Sequence, residues 1–159
     1  MANPSGINSD GHSEKSSTLS LLEWKENHGT TDQTVPSGST ADLLGSSISI
    51  TVPVGGAAVE VFYSFSTRTN NILGLATTNI QLLDNGTLVE GVTQGYSAVT
   101  GATQGASFSR GFPATGPGSL SAGVHVFKLS MTAIGGQTRI FSATNLSAEH
   151  VSGIVKVLW

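Results

Sequence analysis

The chain has 159 residues, no cysteine, a net charge of −3 and only 11% charged residues. That length is one domain with enough chain to bury a core, and the missing cysteine excludes disulfide scaffolds, Cys-ligated zinc and thiol nucleophiles. There is no basic stripe for nucleic acid, and no apolar run nears the roughly 20 residues of a membrane-spanning helix.

Charge is distributed unevenly. Asp10, Glu14, Lys15, Glu23, Lys25, Glu26 and Asp32 place seven of the seventeen charges in the first 32 residues. This shift divides the chain into an N-terminal arm, residues 1–35, and a body, residues 36–159. The arm opens on a small polar stretch, Ala2 to Ser17, expected to be disordered in isolation. It lacks the apolar core of a secretory signal, so export by that route is not expected. Thr18 to Glu26 follows. Ser20 with Glu23 fits a helical capping box, while Leu19, Leu21 and Glu23 alternate as in a strand; both readings fit. Leu19, Leu21, Leu22 and Trp24 are four apolar groups on a polar tail. They need a surface to bury against, either the chain's own body or a neighbouring subunit.

The body reads as strands. Ile48, Ile50, Val52 and Val54 alternate with polar residues at the two-residue period of a half-buried strand. Pro53 ends that strand or sets it at an edge, and Gly55-Gly56 makes a turn. Val59, Val61, Tyr63 and Phe65 then share one face, and Phe62 breaks the alternation, which suggests partial cover on both faces. Asn70-Asn71 is a turn signal before Ile72 to Leu75. Asn85-Gly86 between apolar runs is a strong hairpin signal, because both residues tolerate positive φ. Residues 93–106 are uncharged and glycine-rich and suit a long loop or a bulged strand pair. Phe108 to Phe112 is a short strand, and Pro113 to Gly118 a loop. Gly123 to Met131 and Thr138 to Ala143 are strands around Gly135-Gly136. Ser152 to Trp159 is so apolar that an interior place in a sheet is expected. About eight strands with turns every 8–12 residues indicate an all-β antiparallel sandwich or jelly roll carrying an extended arm.

Chemistry is sparse. His12, His28, His125 and His150 form no His-x-His or His-Glu-x-x-His pattern, so no metal or cofactor is expected. His125, between two valines, reads as a packed strand residue rather than a base, and Glu149-His150 as a surface turn. No Gly-x-Ser-x-Gly elbow occurs. Glycoside hydrolysis needs two placed carboxylates, and Asp42, Glu60, Asp84, Glu90 and Glu149 carry no spacing that pairs them. No catalytic residue is assigned and no enzyme is expected. Tyr96, Phe108 and Phe112 are the aromatic candidates for an exposed ligand-binding loop, with Tyr96 able either to stack on a sugar or to anchor its own loop.

Thr40 to Ser46 leading into Ile48-Ser49-Ile50-Thr51-Val52-Pro53 resembles the opening of small virion proteins of tailed bacteriophages. The Gly123 to Leu129 strand, the glycine-rich turn and the closing strand to Trp159 fit the same pattern. They are also similar to the trimeric jelly-roll heads of the tumour-necrosis-factor and complement type. The resemblance covers about residues 35–159; the arm does not match the globular heads. It implies a non-enzymatic virion structural protein, a capsid decoration or minor capsid protein anchored by its arm. The alternative it implies is a receptor- or carbohydrate-binding head of a tail or tail fibre. The implied partners are further copies of the chain, a trimer foremost, and a major capsid or other virion protein, with neither nucleic acid nor membrane. The implied location is the virion, after synthesis in the host cytoplasm.

Overall fold

A computed structural model describes residues 20–69, 76–96, 103–136, 138–140 and 151–159. Eleven strands and no helix occur among them: β1 (Leu21–His28), β2 (Gln33–Val35), β3 (Thr40–Asp42), β4 (Ile48–Val52), β5 (Ala58–Thr69), β6 (Ala76–Asp84), β7 (Thr87–Tyr96), β8 (Thr103–Phe112), β9 (Gly123–Ile134), β10 (Thr138–Ile140) and β11 (Ser152–Leu158). They form two antiparallel sheets. In the first, β11 and β10 lie end to end against β5, with β1 outside β11, β2 outside β10, and β8 on the other side of β5. In the second, β4 and β3 flank β9, followed by β6 and then β7. Three pairs of short strands thus share positions, which leaves four lateral positions per sheet and the expected eight of a jelly-roll sandwich.

The alternating residues meet between the sheets. Val59, Val61, Tyr63 and Phe65 from β5 pack with Ile50, Ile80, Leu82, Phe127, Leu129 and Met131, all essentially inaccessible to water. Burial on this scale is the main stabilising term, roughly 1.5–3 kcal/mol per large side chain. β4 ends at Val52, before Pro53, and pairs only with β9, so it is an edge strand. Asn85 and Gly86 adopt φ of 49° and 82° between β6 and β7, the left-handed pair that matches a hairpin's twist. Asn85 also ties the hairpin to β9, its Oδ1 accepting from Val126 N at 3.0 Å and its Nδ2 donating to Val124 O at 3.1 Å. β11 runs between β1 and β5, an interior strand as its apolar sequence requires.

The segment expected as an arm enters the sheet. Leu21–His28 is a strand paired residue for residue with β11, apart from a bulge around Leu22. Ser20 and Trp159 extend the ladder by exchanging backbone hydrogen bonds of 2.6 and 2.9 Å. Val35, at the expected boundary, is fully buried in the core. The chain joins the body at Gly29, whose N–H donates to Val151 O at 2.9 Å. Composition could not mark this point, because a strand held by backbone bonds needs no apolar signature.

Candidate assembly face

Alternation along β1, β11, β5 and β8 sends every second side chain outward, away from the core. Register then fixes the neighbours on that outer face. Trp24, Lys156, Glu60 and Gly111 form one row across the four strands, and Glu26, Ile154, Phe62 and Ser109 form the next. Trp24 is 55% exposed and Phe62 41%. Leu21 stands opposite Leu158 on the same face, and Leu22, in the bulge, is also exposed. Trp159 lies exposed beside this corner.

Polar groups thread the apolar stripe. Lys156 Nζ sits 5.8 Å from the Trp24 ring centroid, within reach of the ring's negative face. It lies 3.7 Å from a Glu60 carboxylate oxygen; both are well exposed, so this pair contributes little to stability. Glu26 and His28 meet at 2.9 Å near the end of β1. Gly111 and Ser109 leave a shallow depression of about 460 Å³ beside Glu60, Phe62, Ile154 and Lys156. Large apolar side chains gathered on one sheet face, with a few charges among them, have the composition of a contact surface.

Of the four arm residues singled out in the sequence, Leu21, Leu22 and Trp24 are thus brought to this corner, and Leu19 lies outside the described residues. Phe62 and Ile154 join them only through strand register. Phe62 was legible as a break in alternation, whereas Ile154 looked like one more apolar residue of a buried strand.

The aromatic loop is corrected. Phe108 and Phe112 are 3% and 8% exposed and belong to the core, pointing inward from β8 opposite Tyr63 and Val59. Phe108 packs on Phe65 and Phe112 on Phe127, with ring centroids 6.1 and 5.7 Å apart. Residues 103–112 are one long strand whose inward positions these are, so neither ring is free to meet a ligand. Tyr96 ends β7, and its side chain lies outside the described residues, as do His12, Glu149, His150 and the Ile72–Leu75 run.

His125 is a packed strand residue and has a specific polar setting as well. Its Nδ1 lies 2.7 Å from Asp84 Oδ2 and its Nε2 2.9 Å from Ser121 O. Both ring nitrogens are therefore engaged in hydrogen bonds, one with a carboxylate and one with a backbone carbonyl. Imidazole and carboxylate side chains are 7% and 14% exposed. The pair joins the end of β6 to the start of β9 and pins the loop before it. Among the described body carboxylates, Glu60 lies on the first sheet and Asp42, Asp84 and Glu90 on the second. Among the described residues, no group of three His, Cys, Asp or Glu is placed to hold a metal ion, and no helix is long and apolar enough to cross a membrane.

No family model and no curated protein matches the chain. Several solved structures are similar to it. Eiger TNF from S. frugiperda aligns at 12% identity and a TM-score of 0.49, over 86% of this chain and 92% of that one. The T13 IBDV viral particle aligns at 15% identity and a TM-score of 0.42, over 86% of this chain and 36% of that one. The enzymatically active domain of bacteriophage CBA120 tailspike protein 4 aligns at 16% identity and a TM-score of 0.32, over 84% of this chain and 19% of that one. The chain therefore spans little more than a third of the viral-particle chain and a fifth of the tailspike chain.

Proposed function

We propose that this chain is a non-enzymatic structural subunit that associates through the outer face of its first sheet and through its N-terminal segment. The observation that carries the reading is the exposure of Leu21, Trp24 and Phe62, large apolar groups left in water on one outer sheet face. Low charge supports it, since few like charges stand to repel a neighbour. The virion setting, as a capsid decoration or minor capsid protein of a tailed phage, rests on the sequence resemblance of residues 40–53 and 123–129. Self-association, with a trimer as the favoured closed form, follows the same resemblance.

Light scattering of the full chain should give the mass of a small closed oligomer, and Trp24→Asp with Phe62→Asp should return it to one chain while its circular dichroism stays that of a β-protein. An unchanged mass in the double variant would remove this face from the assembly. Co-purification of the chain with virus particles tests the setting.

A second reading has its own observation. The depression beside Phe62 offers an aromatic edge together with Glu60, Ser109 and Lys156 as hydrogen-bonding groups, a combination that suits a sugar. A receptor- or glycan-binding head would use this face instead of the loops. A glycan array probed with the full chain and with Phe62→Ala separates the two; no binding by the parent chain rejects the glycan reading.

A further inference from the structure

β1 is attached to the body by a different chemistry from that of the other long strands. None of residues 20–28 is buried. Its outward side chains form part of the exposed face. Its inward ones are Glu23, Lys25 and Asn27, and they reach across the side of the sandwich to the open edge of β4. Lys25 Nζ donates to Ser49 O at 2.8 Å, Asn27 Nδ2 donates to Ser47 O at 3.0 Å, and Thr51 N–H donates to Glu23 Oε2 at 3.4 Å. Three side chains at alternate positions thus satisfy three alternate backbone groups at residues 47, 49 and 51, two in edge strand β4 and one just before it. On its other side β1 pairs with β11 from Leu21 to His28. The whole segment is held by hydrogen bonds, with no anchor in the core.

The hold ends sharply. Gly29 bonds to Val151 O and packs so closely beside Leu44 that a Cβ there would stand 2.9 Å from the Leu44 carbonyl oxygen. The chain is therefore fixed to the body from Gly29 onward, and His28 to Gly29 is the place where the strand could swing away. An eight-residue strand reaches roughly 27 Å, enough to span to an adjoining subunit. Its departure would bare the apolar strand β11 and the edge of β4 together, an exposed double edge that invites pairing. The segment that satisfies the β11 register and the backbone groups of residues 47, 49 and 51 at once is another β1.

We propose that β1 is an exchangeable strand: within an assembly, β1 of one copy occupies the slot between β11 and β4 of a second copy. Every bond of the closed chain is re-formed in the exchanged one, so exchange costs little in contacts and is driven by proximity. This rests on the assembly reading for the proximity, and on nothing else in it.

The chain contains no cysteine, which allows a direct test with full-length single-cysteine variants. Lys25→Cys and Ser49→Cys chains, one isotopically labelled, are mixed at rising concentration and treated with a short bismaleimide. Peptides joining residue 25 of one chain to residue 49 of the other are counted by mass spectrometry. A Lys25→Cys with Glu90→Cys mixture supplies the background, because Glu90 lies on the far edge of the opposite sheet. Exchange predicts a cross-chain yield at least five-fold above that background, rising with oligomer fraction. Yield at background in a sample that light scattering shows to be oligomeric overturns exchange and leaves the assembly reading intact. A sample that stays monomeric throughout overturns both.

Discussion

β1 and β11 are neighbours in one sheet, yet they belong to it in different ways. β11 sends Val155 and Val157 into the core and packs Gly153 against the Tyr63 ring, whereas no side chain of β1 is buried. They share one backbone ladder, and β11 has a second with β5. A ladder alone contributes modestly, because folding exchanges hydrogen bonds to water for hydrogen bonds within the protein; apolar burial and close packing make a strand irremovable. The comparison teaches that pairing sets where a strand lies and core contact sets whether it must stay.

The largest single loss is expected in the other sheet, at the buried His125–Asp84 contact between β9 and β6. His125→Ala removes the 2.7 Å contact to Asp84 Oδ2, and Oδ1 already has no hydrogen-bond partner among the described residues. Loss of one member of such a pair costs about 3 kcal/mol, to be measured by urea denaturation. A cycle with Asp84→Ala should show that the two changes are far from additive; additivity would mean that the pair is not coupled.

Gly153→Ala comes next. A Cβ at 153 would lie 2.6 Å from Tyr63 Cδ1, closer still to Cε1, and 3.0 Å from Ile48 Cδ1. Tyr63 is fully buried and cannot retreat, so overpacking should cost about 1–3 kcal/mol. The paired residue on β1, Asn27, tolerates Ala at a smaller cost if the comparison holds. Equal losses at the two positions would refute it.

Alkaline pH probes the same ring. The Tyr63 hydroxyl donates to the Ser46 carbonyl at 2.6 Å, with Phe127 O as a second acceptor at 3.1 Å. Burial raises its pKa well above the ordinary tyrosine range. The unfolded chain therefore loses this proton first, and binds fewer protons than the folded one above about pH 10. Stability is complete below that pH and falls as pH rises beyond it. Tyr63→Phe should make the alkaline fall shallower, at a cost of about 1 kcal/mol at neutral pH. Identical slopes in the two chains would show that Tyr63 does not contribute.

The smallest effect is expected on the exposed face. Trp24→Ala should change the stability of the isolated chain by only about 0.5 kcal/mol while weakening association. A thermal melt beside the light-scattering series reads both. A loss comparable to that at Gly153 would place Trp24 in the folding core after all.

Much of this was legible beforehand. The places of β4, β5, β9 and β11, the Asn85-Gly86 hairpin, the edge at Pro53 and the interior place of the last strand all come from local patterns, namely a two-residue period, turn chemistry and unbroken apolarity. The candidate face was legible only in part. Trp24, Leu21 and Leu22 stood out as apolar groups in a polar segment, but nothing near them in sequence shows that Phe62 and Ile154 are their neighbours. Phe108 and Phe112 misled for the converse reason. Their segment reads as a short strand between glycine-rich loops and so as open to a ligand, and only the ten-residue ladder with β5 shows that their positions alternate into the core.

The sequence by itself determined that this chain is all-β and that it folds as an antiparallel sandwich. Those properties depend on composition and short-range periodicity, which need no knowledge of distant partners. The tertiary structure decided that the segment around Trp24 is a strand of the sheet, that it is held without a core residue, and that His125 faces Asp84. Each of these joins positions tens of residues or more apart in the chain. Such contacts depend on strand order and register, which are set by the burial of the whole core.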